Sequence, residues 1–242
     1  MATIHTKMIK GNLAYYQTHQ KRIVHAIGQD VVEVIRDFVG YEPHNSAETD
    51  LDWTVTRVEA GAGESTIAVI DGVGGILRIT TDANENDGIN AQLIGEAFEL
   101  TSDQHLYFGI FGLKPSDATQ SDFFAGLAIT DTDILGGVTD RIGFEKLDGA
   151  LDIKCMLEKD STETLTDTGI DAADATAADL EFYWDGDNST IEFFVNGVSV
   201  ATPVTTNLPN DEALRISLHG LAGAAAAKTF DFDKIVCIMI GR

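Results

Sequence analysis

From Val31 onward, apolar and polar residues alternate in short runs that end at Gly, Asp or Asn. Successive side chains of a β-strand point to opposite faces, so this alternation predicts strands with one apolar face. Examples are the runs VVEVIRDFVG, ILRITT, LDIKCMLE and KIVCIMIG. About a dozen such runs occur without a long amphipathic helix between them, which predicts an all-β antiparallel β-sandwich.

The clearest pattern is the stretch EFYWDGDNSTIEFFVNGVSVA, residues 181–201. Asn196-Gly197 separates two apolar runs, and both residues tolerate the positive φ that a type I′ hairpin turn requires. The stretch therefore predicts a three-strand meander with one face in the core. The predicted inward positions are Leu180, Phe182, Trp184, Ile191, Phe193, Val195, Val198 and Val200.

Residues 1–30 lack a clean period and form a separate N-terminal arm in this interpretation, whereas residues 31–242 form one sandwich domain. Aromatic and aliphatic residues beside cations are typical of a docking segment. The segment is predicted to be a short helix or an arm that becomes ordered on docking; the alternative is that these residues pack on the body. The candidate partner-binding residues are Tyr15, Tyr16, Lys21, Arg22 and Ile23.

The charge of the chain is strongly negative and unevenly distributed. The whole chain carries −23; residues 1–40 carry +2, so residues 41–242 carry −25. An acidic surface repels phosphate backbones and anionic lipid, so neither nucleic acid nor a membrane is expected as a partner. We also expect no secretory signal and no membrane span, because no continuous apolar run of the required length occurs.

The two cysteines occupy apolar positions of strand-like runs. Cys155 lies in LDIKCMLE and Cys237 in KIVCIMIG. Without an export signal, buried free thiols are expected in preference to a disulfide.

Two acidic turns are candidate cation sites. In DANENDG, the residues Asp82, Asn84, Asn86 and Asp87 supply the oxygen ligands that Ca²⁺ accepts, but the spacing departs from an EF-hand loop. The alternative is a turn rich in Asn and Asp, which tolerate left-handed backbone. The same two alternatives hold for DTDILGGVTD, residues 131–140. No cofactor other than calcium is indicated.

The stretch FYWDG…IEFFVNGVSVA resembles the late strands of concanavalin-like jelly-roll sandwiches of the laminin-G and glucanase type. The segments IRDFVG, WTV and VGGILRITT resemble the entry to the same fold. The resemblance implies a jelly roll over residues 31–242.

Glucanases of this fold resemble one another in a strand with Glu, Asp and Glu at alternate positions, so that two carboxylates flank the glycosidic bond. Neither EKLDGALD nor EKDSTE reproduces that pattern, and no G-x-S-x-G or H-E-x-x-H motif occurs. We therefore expect no catalytic residues and no enzymatic activity. Non-catalytic sugar binding remains an alternative, with Tyr183 and Phe194 as an exposed aromatic platform unless another part of the chain covers them.

Three further segments resemble bacteriophage virion proteins of the structural, capsid-associated or decoration group: GGILRITTDANENDGINAQLIGEAFEL, SDATQSDFFAGLAITDTDILGGVTD and EKDSTETLTDTGID. The resemblance implies a virion component. We expect a capsid decoration (cement) protein, made in the host cytoplasm, that binds the outer capsid surface through its N-terminal arm. Its expected partners are the major capsid protein and further copies of itself, as a dimer or trimer. The alternative is a host-glycan-binding module on a phage fibre or spike.

Overall fold

The computed structural model describes residues 4–17, 21–39, 52–61, 63–201 and 205–241. In these ranges the chain is all-β, with one short 3-10 turn at Thr205–Asn207. No helix there is long and apolar enough to cross a membrane. The strands are β1 (Ile4–Ile9), β2 (Asn12–Gln17), β3 (Arg22–Ile27), β4 (Val31–Arg36), β5 (Trp53–Val58), β6 (Thr66–Ile70), β7 (Ile76–Thr80), β8 (Gly88–Leu93), β9 (His105–Pro115), β10 (Ser121–Ala128), β11 (Arg141–Lys146), β12 (Asp152–Lys159), β13 (Thr162–Asp171), β14 (Ala178–Asp185), β15 (Thr190–Val195), β16 (Val198–Ala201), β17 (Arg215–Ala222), β18 (Thr229–Phe232) and β19 (Lys234–Ile240).

Two large antiparallel sheets form the sandwich. The first has seven strands in the order β13-β12-β11-β10-β17-β8-β5. The second is built around the long strand β9, which pairs with β14 and β19 along most of its length and with β18 near its end. Gly112 of β9 has a φ of +68°, and the pairing with β14 shifts register beside it. The bend lies between the part of β9 that pairs with β19 and the part that pairs with β18.

The core lies between the inner faces of these sheets. Phe182 of β14 and Phe193 of β15 are fully buried and neighbour each other across the strand pair. Phe144 of the opposite sheet packs edge-on against Phe193, with the ring centroids 5.3 Å apart. Such aromatic contacts between facing sheets add to the apolar area that stabilises the sandwich.

The predicted meander is confirmed as β14-β15-β16. Asn196 and Gly197 have φ values of 52° and 72°, as the predicted turn requires. The inward positions of β14 and β15 are buried as expected. Val198 is the exception, at 64 % exposure, because β16 is the edge strand and its pairing shifts register beside Phe194.

The cysteines are free and buried, as expected from the sequence. Cys155 lies in the seven-stranded sheet and Cys237 in the opposite sheet, and both belong to the core. Burial raises the pKa of both thiols well above the ordinary value, so they remain protonated and unreactive at neutral pH.

Candidate functional site

The N-terminal segment is a three-stranded antiparallel sheet, β1-β2-β3, which we call the N-terminal sheet. Its first hairpin turns at Lys10 and Gly11, which have φ values of 49° and 79°. The inner face of the sheet, including the fully buried Ile23, packs against the outer face of the second large sheet. The body residues in this cluster are Tyr107, Tyr183, Phe194, Val236, Ile238 and Ile240.

A buried ion pair joins the N-terminal sheet to the body. Arg22 donates from Nε and Nη2 to the two carboxylate oxygens of Glu181, at 2.7 and 2.5 Å. Tyr107 donates its hydroxyl to the same carboxylate at 2.6 Å. Burial, followed by the charge of Glu181, raises the pKa of Tyr107 well above its usual value, so the hydroxyl keeps its proton. The carboxylate of Glu181 is fully buried, so these contacts replace water.

Two outer ion pairs flank the buried one. Lys10 binds Asp187 at 2.5 Å, and Lys21 binds Glu192 at 2.6 Å. The basic N-terminal sheet is therefore held on the acidic body by charge as well as by apolar contact.

The candidate arm residues fall into two groups. Lys21, Arg22 and Ile23 contact the chain's own body, and Tyr16 packs at the margin of the same cluster. Tyr15 points to the outer face of the N-terminal sheet, where its ring stacks on His25 with the centroids 6.0 Å apart. The segment therefore packs on the body, as the alternative interpretation expected, and it forms three strands and not a short helix.

The outer face of the N-terminal sheet carries a row of apolar side chains. The strand pairing places Met8, Leu13 and Ile27 side by side across the three strands. Met8 is 61 % exposed and Ile27 is 54 % exposed. Ile4, on the same face, is also about half exposed. Contiguous exposed apolar side chains of this kind mark interaction surfaces.

The predicted aromatic sugar platform is corrected by the structure. Tyr183 and Phe194 are only 2 % and 1 % exposed, because the N-terminal sheet covers them. The hydroxyl of Tyr183 lies 2.8 Å from Nδ1 of His105. A sugar ring cannot reach these aromatic faces, so any glycan site lies elsewhere.

The candidate calcium turn is held by internal hydrogen bonds. Asp87 accepts hydrogen bonds from the backbone N–H of Ala60 and from the side-chain amide of Asn84. Burial opposes ionisation of Asp87, but these hydrogen bonds outweigh it and lower its pKa. These donors occupy acceptor positions that a cation would need. Among the described residues, Asp82 and Asp87 belong to no group of three or more His, Cys, Asp or Glu side chains that could hold a metal ion.

Another candidate cation cluster comprises His105, Asp185 and Asp187, at the end of the β14–β15 hairpin. Nε2 of His105 lies 3.1 Å from Asp187, and Nδ1 lies 3.7 Å from Asp185. Two carboxylates and an imidazole are a ligand set that metal ions accept. The ammonium of Lys10 already neutralises Asp187 and would compete with a metal. The sequence offered no signal for this cluster, because His105 is remote from the two aspartates.

Residues 129–140, which include the second acidic turn, fold over the outer face of the seven-stranded sheet. Asn90 and Gln92 donate side-chain hydrogen bonds to the carbonyls of Asp131 and Ile129. Ile134 and Val138 pack on Phe124 and Met156 of that face. The carboxylate of Asp131 accepts a hydrogen bond from the backbone N–H of Asp133 in the same turn. This segment is therefore a cover for part of the sheet.

A buried charge cluster lies beneath this cover. Arg141 donates from Nε to Glu158 at 2.6 Å and from Nη1 to the carbonyl of Ile134 at 2.6 Å. The same Nη1 lies 3.2 Å from Glu145. Burial raises the pKa of Glu145, although the charge of Arg141 opposes that rise. Arg141 thus holds two buried carboxylates and the covering segment together.

Two further polar side chains on this face have unusual environments. His219 is fully buried, and neither ring nitrogen has a hydrogen-bond partner among the described residues. Burial lowers its pKa to about 3, so the imidazole is neutral. Asp122 lies further along the face, where burial raises its pKa to about 6. A carboxyl group of this kind can carry a proton near neutral pH.

The fold is shared with carbohydrate-active proteins. No protein-family model matches the chain, and no curated protein matches it in sequence. The endo-1,3-beta-glucanase of Streptomyces sioyaensis is 14 % identical, with a TM-score of 0.63 over 90 % of this chain and 100 % of that one. A protein of unknown function from Shewanella oneidensis MR-1 is 14 % identical, with a TM-score of 0.61 over 89 % of each chain.

The potassium-bound carbohydrate recognition domain of Emp46p is also similar, with 14 % identity and a TM-score of 0.51 over 79 % of this chain and 92 % of that one. At such identities the likeness establishes the fold alone. The chain therefore has the concanavalin-like jelly-roll fold that its sequence predicted.

The expectation that the chain is not an enzyme is corrected by these comparisons. Several of the structures that share its fold are glucanases, so the architecture is one that supports glycan hydrolysis. The sequence motifs did not reveal a further pair of carboxylates, Asp179 and Glu181. They lie two residues apart on β14 and so share one face. Glu181 is fully enclosed by Arg22 and Tyr107, so it is not accessible to a glycosidic bond.

Proposed function

We propose that this chain is a bacteriophage virion protein that coats the outer capsid surface, and that the outer face of its N-terminal sheet contacts the major capsid protein. The observation that carries the proposal is the apolar row of Met8, Leu13 and Ile27, in which Met8 and Ile27 are exposed and Leu13 is partly exposed. None of the three belongs to a buried core cluster, and contiguous apolar side chains at a surface mark interaction sites. The resemblance of the central segments to virion proteins supplies the identity of the partner.

The charge distribution favours the same orientation. Residues 1–29 carry four cations and no Asp or Glu, a net charge of +4. Since the whole chain carries −23, residues 30–242 carry −27. Docking through the N-terminal sheet would turn the acidic body outward, where its charge limits adhesion between particles. Synthesis in the host cytoplasm and assembly on the virion complete the proposal.

Changing the outer face is the direct test of capsid binding. We expect the double variant Met8→Ser/Ile27→Ser to lose at least about tenfold in affinity for capsids of the phage that encodes the chain, because central apolar anchors dominate interfaces. Occupancy is measured by cryo-electron microscopy or gel densitometry. Deleting the sheet would instead expose Tyr183 and Phe194, so point variants are the cleaner test.

Val73→Ser is the matched control, because Val73 is fully exposed in the turn between β6 and β7. It should bind capsids like the wild type. Wild-type occupancy by the double variant would refute the proposed docking face.

A second candidate function is glycan binding, favoured by the fold that the chain shares with a carbohydrate recognition domain and with glucanases. It predicts reproducible binding to at least one class of cell-surface glycan on an array. A reducing-sugar assay with that glycan separates binding from hydrolysis. If the chain binds no glycan class on the array, this candidate function is refuted.

A further inference from the structure

Two strands, β1 and β13, are edge strands of their sheets, with a strand partner on one side only among the described residues. β1 pairs only with β2, and β13 pairs only with β12 among the described residues. Five of the six residues of β1 are exposed, and seven of the ten residues of β13 are exposed. Both carry exposed apolar side chains, such as Ile4 and Leu165. An open strand edge is a template for pairing with another chain.

The two edges have opposite charge. β1 (IHTKMI) contains Lys7 and no acidic residue. β13 (TETLTDTGID) contains Glu163, Asp167 and Asp171 and no basic residue. Pairing of β1 with a second β1 would bring lysines together, and pairing of β13 with a second β13 would bring carboxylates together. Both homotypic pairings are therefore disfavoured, whereas pairing between unlike edges is favoured.

The edges also match in length. β1 has six residues. The regular part of β13 runs from residue 162 to residue 167, because Gly169 has a φ of +70° and the pairing with β12 shifts register there. With Lys7 opposite Glu163, residues 4–8 of one copy lie opposite residues 162–166 of the other, and a ladder of five residues is ordinary for a pair of β-strands.

We propose that β1 of one copy pairs antiparallel with β13 of a second copy, in a register that sets Lys7 opposite Glu163. The contact adds a strand to each sheet by backbone hydrogen bonds, and the charges select the partner edge. It is a head-to-tail interface, so successive copies form a closed ring or an open chain. This goes beyond the proposed capsid contact, which uses a different surface, the outer face of the N-terminal sheet. On a capsid, contacts between copies would strengthen the binding of each one.

Charge exchange tests the interface in solution without capsids. Sedimentation velocity should show concentration-dependent self-association of the wild type that weakens as salt is raised. Lys7→Glu should weaken this association by about tenfold or more, Glu163→Lys likewise, and the two changes together should restore it. Lys7→Arg is the control and should associate like the wild type. Glu163 lies 4.0 Å from Arg141, so thermal unfolding must first show that Glu163→Lys folds.

Disulfide trapping gives a second test that does not depend on charge reversal. In the proposed register His5 of one copy lies opposite Leu165 of the next. The single variants His5→Cys and Leu165→Cys should form a mixed disulfide when combined, and neither should form dimers alone. The native cysteines are buried and do not interfere. A monomer at all concentrations with no mixed disulfide, or dimers of either variant alone, would overturn the proposal.

Discussion

Replacing Arg141 with methionine is expected to destabilise the folded protein by about 3–5 kcal/mol. Arg141 is the cation between two buried carboxylates, those of Glu145 and Glu158. Methionine fills similar space but leaves both carboxylates without a counter-charge. It also removes the hydrogen bond to Ile134 that holds the segment 129–140 over the sheet. The loss is measured by urea unfolding of the wild type and the variant.

The effect should depend on pH in a defined direction. The pKa of Glu145 is already raised in the folded wild type. A carboxyl group with a raised folded pKa reduces stability as pH rises through the interval between its unfolded and folded pKa values. Removal of Arg141 should raise that pKa further, so the destabilisation should be larger at pH 7 than at pH 5. The triple variant Arg141→Met/Glu145→Gln/Glu158→Gln should recover much of the loss, whereas equal destabilisation at both pH values would contradict this account.

The strands of the sandwich could be predicted because the pattern that specifies them lies within short stretches of sequence. In β14 and β15 every second residue is apolar, and the turn residues Asn196 and Gly197 fix the pairing of β15 with β16. One apolar face per strand specifies which side is buried. The interior of the meander therefore followed from spacing alone. Val198 deviates because burial at an edge strand depends on neighbours that alternation does not reveal.

The N-terminal sheet was not predictable by the same rule. Its outer face carries Met8, Leu13 and Ile27 while its inner face carries Ile23, so apolar residues fall on both sides and no period stands out. The Lys10-Gly11 turn was the one local signal of a hairpin. Arg22 meets Glu181 across 159 positions of sequence, and no spacing rule brings such a pair together. The docked position of the sheet is set by these distant contacts.

Removal of the Arg22 side chain should release the N-terminal sheet from the body. In Arg22→Met the carboxylate of Glu181 stays buried with only the hydroxyl of Tyr107 beside it, and breaking a buried pair in this way costs about 3–5 kcal/mol. The sheet can avoid that cost by undocking, which gives Glu181 access to water. We therefore expect faster amide hydrogen exchange throughout β1, β2 and β3, measured by mass spectrometry.

The matched control is Lys21→Met, since Lys21 and Glu192 form a partly exposed ion pair, a kind worth about 0–1 kcal/mol. Its exchange should stay close to that of the wild type. Glu181→Gln in the Arg22→Met background removes the buried charge and should restore protection of the sheet. The backbone amides of β9 and β14, the strands beneath the N-terminal sheet, donate hydrogen bonds within the body. They should therefore remain protected when the N-terminal sheet undocks. Loss of protection across the whole chain would show that the N-terminal sheet and the sandwich unfold as one unit, and unchanged exchange would show that apolar contact alone holds the sheet.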